Sequence, residues 1–189
     1  MANILDIFRT RAGHLLVEKS NEITGMEDSR IQQALTCLLP SLLSIYAAKD
    51  ISEIKMANEN LISFLKNVDL IHQGKEEAEL LLTDAKKNSF LHLSEVLEVE
   101  EDSFKKLFYV SIALLSQIIS EMKNKAGNDL NGILKTLSGT HLKYHDNFIS
   151  ILSKDSTEPD IIDNVEEISL GKQEDDEDPS ILGGYTGGR

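Results

Sequence analysis

Tryptophan is absent from this chain, and only 5% of its residues are aromatic. Leu and Ile must therefore fill any core, which suits packed helices better than a β-sandwich. Cys37 is the single cysteine, so no internal disulfide can form. It lies in the apolar run Leu35-Thr36-Cys37-Leu38-Leu39 and reads as a buried structural thiol. Proline occurs only at 40, 159 and 179, so little interrupts helix over most of the chain. Nor does a basic n-region with a following clean apolar stretch stand at the start, Met1 to Arg9, as a secretory leader requires. The longest apolar runs, 35–48 and 107–119, fall short of a bilayer core of about 30 Å at 1.5 Å per residue. They predict buried helices and a cytoplasmic protein without a membrane span.

Positive charge is scarce, and its shortage is local. The formal net charge is −13. Residues 1–154 carry 21 acids and 17 bases, whereas residues 155–178 carry 11 acids and one base. The body is nearly balanced; the acidity belongs to the C-terminal region. Such a field repels phosphate backbones, which argues against nucleic acid, and attracts a protein partner with a basic surface.

What is present is helical periodicity. Ile4, Leu5, Phe8, Ala12, Leu15 and Leu16 predict a helix over 3–19, with Gly25 breaking the chain after it. Asp28 or Ser29 can cap the next helix, whose stripe runs from Ile31 to Tyr46 and contains Pro40, predicting a kink or a division there. Further helices are expected near 51–68, from Gly74 onward, near 88–97, over 101–124, near 128–137 and near 145–153, then a capped segment from Glu158 or Pro159 to Ile168. No convincing strand is expected. The fold class is all-α, a compact bundle of about eight helices.

The chain also resembles itself. Shifted by 73, Ile23, Met26, Ile31, Leu35, Leu39, Leu42 and Tyr46 fall on Val96, Val99, Phe104, Phe108, Ile112, Leu115 and Ile119. Near an offset of 69, residues 60–66 match 129–135. Fixed-offset similarity predicts two related helical units, about 1–72 and 73–153, within a domain of residues 1–170. The two matched apolar helices are expected to lie together at the centre, too apolar to face water on any side. Residues 171–189 read as a disordered acidic, Gly-rich tail. Its charge block Glu174 to Asp178 precedes Ile181, Leu182 and Tyr185 set among glycines, with Arg189 last. These four residues are the candidate partner-binding positions.

Ile4-Leu5-Asp6-Ile7-Phe8, Ile31-Gln32-Gln33-Ala34-Leu35 and Leu38-Leu39-Pro40-Ser41-Leu42-Leu43 resemble the YidB-like family, bacterial proteins grouped as a domain of unknown function. The resemblance covers roughly 1–168. It implies an all-helical fold and a bacterial source, and no activity. Where family members carry an Asp-Gly-Asp-Gly-Ser turn, residues 155–163 keep Ile161-Ile162-Asp163 but lack both glycines.

Other constellations favour plain roles. Asp155, Thr157 and Asp160 could offer oxygens to calcium, but no Gly makes the sharp turn, so a helix cap is the better reading. His141 and His145 have the i, i+4 spacing of helical zinc pairs, without a third ligand or the Glu of a zincin. Glu76, Glu77 and Glu79, and Glu98, Glu100, Glu101 and Asp102, fit solvated helix starts, where acids favour the macrodipole. No Gly-rich phosphate loop or nucleophile elbow is present, and no polar convergence is expected between the two units. Neither a catalytic, a cofactor nor a metal site is expected. The reading is a non-enzymatic protein-interaction or scaffold protein. A homo-oligomeric assembly component, or less favoured a carrier of a small hydrophobic ligand, is the alternative.

Overall fold

The computed structural model describes residues 2–48 and 58–153. A short 3-10 helix, Ile4–Arg9, leads into α1 (Arg11–Thr24), α2 (Asp28–Ala48), α3 (Leu61–Asn67), α4 (Leu70–Leu81) and α5 (Asp84–Leu91). There follow α6 (Leu93–Val96), α7 (Glu101–Ala126), α8 (Leu130–Leu137) and α9 (His145–Leu152). The protein is an all-α bundle, with no strand among the described residues.

The expected first helix is in fact two elements, because side chains compete with the backbone ladder. Asn3 Oδ1 accepts the Leu5 amide at 2.9 Å, and the Asp6 carboxylate accepts the Asn3 amide at 2.7 Å, a reciprocal cap. Thr10 is extended and breaks the run. Its hydroxyl donates to the Ile7 carbonyl at 2.7 Å and accepts the Gly13 amide at 3.3 Å. Gly25 ends α1 in the left-handed region, at φ 71°, where glycine carries no Cβ penalty.

Pro40 does not divide α2. The helix runs unbroken through it, and Pro40 lies on the exposed face. The hydrogen bond it forfeits, to the Thr36 carbonyl, is therefore lost on the solvent side, where water can replace it. On the opposite side Ile31, Leu35, Leu38, Leu39 and Leu42 are buried. One face of α2 is dry and one is wet, so the expectation of a helix covered all round fails here. Cys37 falls on the wet face and is exposed, not buried. By length and composition α2 is apolar enough to cross a membrane, more so than the run 35–48 taken alone.

Helix α7 behaves as expected. It packs against each of the other eight described α-helices, and every residue from Val110 to Lys123 is buried. Leu39 of α2 and Ile112 of α7 are both fully buried, and the Tyr46 hydroxyl links the two helices by donating to the Ile112 carbonyl at 3.4 Å. The most extensive packing on α7, however, comes from α4. Gly74, expected to start a helix, lies inside α4; the start is Asp69, whose Oδ1 accepts the amides of Ile71 and His72 at 3.1 and 3.0 Å. A Cβ at Gly74 would stand 2.0 Å from the Tyr109 carbonyl oxygen, so this glycine sets how closely the two helices approach.

The five position pairs matched from Ile31/Phe104 to Tyr46/Ile119 are buried in both members, whereas Ile23, Met26 and Val99 are only partly buried and Val96 is exposed. The matched Asn60 and Asp129 both cap helices, accepting the amides of Ser63 at 2.8 Å and Gly132 at 3.0 Å. In turn α3 packs on α7 and α8 packs on α2, whereas α4 and α9 both pack on α7.

Candidate functional site

Two concave regions stand out. The first is polar. Within the most buried helix, Ser116, Gln117, Ser120 and Glu121 follow one another at helical spacing on one face. Gln73, Glu76 and Glu77 of α4 and the turn Asn58–Glu59 oppose them, around an open pocket of about 220 Å³. Gln117 Nε2 donates to the Glu59 carbonyl at 2.7 Å and to Glu121 Oε1 at 3.1 Å. Gln73 Nε2 donates to Glu77 Oε1 at 3.2 Å. The buried phenol of Tyr46, from α2, lies beside Ser116 at the edge of this polar cluster. Burial pushes its phenol well above the usual range, the Glu77 charge adds to this, and the Ser116 hydroxyl opposes it.

Polar groups from α2, α4 and α7 therefore do converge, contrary to the sequence expectation. The pocket lining carries carboxylates, amides and hydroxyls with no basic residue, so it favours hydrogen-bond donors and cations over anions. The signal was visible as four polar residues grouped in an otherwise apolar helix. It was hidden by their identity: Ser and Gln read as neutral interruptions until burial obliges each polar group to find a partner.

The second region is an apolar groove of about 540 Å³ between α2, α8 and the N-terminal 3-10 helix. Pro40, Leu43, Ser44 and Ala47 form one wall, Leu134 and Lys135 the other, and Ile4 and Leu5 the floor. Residues 31–48 contain no ionisable side chain except the Cys37 thiol and the Tyr46 phenol, and the outer face of this stretch is exposed. An exposed helix face is ordinarily charged, so this uncharged strip is unusual in a chain with 27% charged residues. Cys37 stands on the same face, one turn before the groove.

The residues singled out from the sequence are dispersed. Ile181, Leu182, Tyr185 and Arg189, like the turn 155–163 and the segment 158–168, lie outside the described residues. His141 and His145 do not share a helix face: His141 sits in a turn, its Nδ1 accepting the Lys143 amide at 2.9 Å, and His145 begins α9. No group of three or more potential ligands gathers among the described residues. Glu76, Glu77 and Glu79 lie mid-helix in α4 rather than at its start, with Glu77 turned to the polar pocket. Glu101 and Asp102 do occupy the first turn of α7, as the dipole argument requires.

Asp129 was not singled out, yet it is the most heavily engaged acid described. It accepts from Lys143 Nζ at 2.6 Å, from the Tyr144 hydroxyl at 2.9 Å and from the Gly132 amide. The Lys143 hydrogen bond, then the Gly132 amide and the Tyr144 hydroxyl, hold its carboxyl well below the usual carboxylate range. This network ties the turn 138–144 to the start of α8, which is a structural role.

Compared with protein-family models, curated proteins and solved structures, the chain matches none.

Proposed function

We propose that this chain is a non-enzymatic protein-interaction or scaffold protein: a helical body that carries an acidic, aromatic-and-glycine C-terminal segment for a partner with a basic surface. The observation that carries the reading is the charge contrast. Residues 1–154 are almost balanced, while residues 155–178 concentrate 11 acids against one base. A concentrated field of one sign accelerates encounter with a surface of the opposite sign, and apolar side chains beyond it supply the short-range contact. Ile181, Leu182 and Tyr185 are those side chains, with Arg189 closing the segment. The likeness to the YidB-like family belongs to the same proposal. It rests on the Leu38-Leu39-Pro40-Ser41-Leu42-Leu43 pattern and its flanking helices, and it adds no activity.

The test is affinity purification from the native host with three chains: full length, a deletion of 171–189, and a variant with the acids 174–178 changed to amides. A specific partner is expected with the full chain, lost on deletion and weakened by neutralisation and by added salt. An unchanged set of partners in all three removes the tail from the mechanism.

A further inference from the structure

We propose that the apolar groove between α2 and α8 is the docking site for the chain's own residues 179–188. The inference builds on the reading of the C-terminal region as a binding segment and adds an intramolecular site for it. Four observations converge. The groove is apolar, and the α2 surface beside it is uncharged over 31–48 apart from one thiol and one buried phenol. Of residues 154–189, the longest stretch without charge is 179–188, which carries Ile181, Leu182 and Tyr185. Its four glycines let a backbone approach the small residues Ser44 and Ala47 on the groove wall.

The connection fits as well. The described chain leaves at Ser153 from α9, which packs on α8, itself a wall of the groove. A chain the length of 154–180 can reach at most about 90 Å, well beyond the length of α2, so the tether permits docking in cis. Docking within one chain needs only modest contacts, because the segment is held at a high effective concentration. Charge agrees in sign. Lys135 lies on the groove, and the acids 174–178 immediately precede the uncharged stretch. Occupied in this way, the groove would hold the acidic block against the body, and a partner would have to displace it.

The chain's single cysteine supplies the experiment, because Cys37 is exposed beside the groove. A nitroxide on Cys37 of the full-length protein should attenuate the amide signals of Gly183, Gly184, Gly187 and Gly188 about two-fold or more if the site is at least half filled in cis. Ala47→Glu, at an exposed groove position, and separately Ile181→Asp should restore those signals while the thermal melt stays unchanged. Equal attenuation in both variants would mean mere tether proximity and would overturn the proposal. Attenuation seen only on mixing nitroxide-labelled chains with unlabelled isotopic ones would assign the groove to a second copy and overturn it too. No partner is present in this measurement, so its failure leaves the partner purification above unaffected.

Discussion

Helices α2 and α7 look alike as strings of letters and differ in what surrounds them. Both carry a long stripe of Leu and Ile, and each buried position of α2 falls on a buried position of α7 at a constant offset. Yet α7 is covered on every side from Val110 to Lys123, while α2 keeps an exposed face through Gln33, Cys37, Pro40 and Ser44. The difference teaches that an apolar stripe fixes how one face of a helix is used and leaves the other open. On α7 the second face is closed by α4, which Gly74 allows to settle directly onto the Tyr109 backbone. Nothing of that kind among the described elements covers the outer face of α2, and there the surface is small and uncharged instead of apolar and buried.

The largest expected effect comes from placing the same charge on each helix. Leu115→Arg puts a guanidinium into a fully buried position of α7 and should cost more than about 4 kcal/mol, abolishing cooperative urea unfolding. Gln33→Arg on the outer face of α2 should change stability by less than about 0.5 kcal/mol. Equal effects from the two would end the distinction between the helices.

Next in size is Gly74→Ala. In an exposed helix interior this change gains up to about 1 kcal/mol. Here the new methyl meets the Tyr109 carbonyl, a backbone atom that cannot turn aside, so a net loss of about 1–3 kcal/mol is expected. A stabilised Gly74→Ala protein, measured by thermal melting, would show that α4 does not close α7 as tightly as described.

The smallest effect sharpens the comparison between the matched caps, Asn60 of α3 and Asp129 of α8. Asn60 does not titrate. Asp129 does, and its folded-state pKa lies below the unfolded value. Its contribution is therefore present above a pH of about 4 and is lost as pH falls through the depressed folded value. Asp129→Asn should flatten the acid limb of the melting-temperature profile, whereas Asn60→Ala should lower the whole profile without changing its shape, by about 1 kcal/mol. An unchanged acid limb in Asp129→Asn would detach the carboxylate from that limb.

Much of the fold was legible. The 3.6-residue spacing located α2, α7, α8 and α9 closely, Gly25 and Gly127 ended two helices, and the burial of Leu39 and Ile112 follows from their stripes, whereas α3 spans only Leu61–Asn67 and the helix expected near 88–97 is two, α5 and α6. Thr10 misled, because one hydroxyl bonding both ways can split a run whose periodicity never falters. Gly74 misled in the opposite sense: it reads as a breaker and serves as a contact. The apolar neighbours of Cys37 predict a buried thiol, but its own angular position on α2 points it away from the core. The polar pocket is not legible because Glu59, Glu77 and Gln117 stand on three different elements, and periodicity within one helix carries no information about its neighbours.

The sequence by itself determined the class of structure, the helix register and the one-sided distribution of charge, since these depend on local spacing and composition. Only the tertiary structure decided that α7 is enclosed while α2 is half open, that three helices pool their polar groups, and that an apolar groove runs beside Pro40. Those outcomes depend on which elements meet, and that is governed by backbone clearance at single positions such as Gly74 and by the summed burial of faces far apart in the chain.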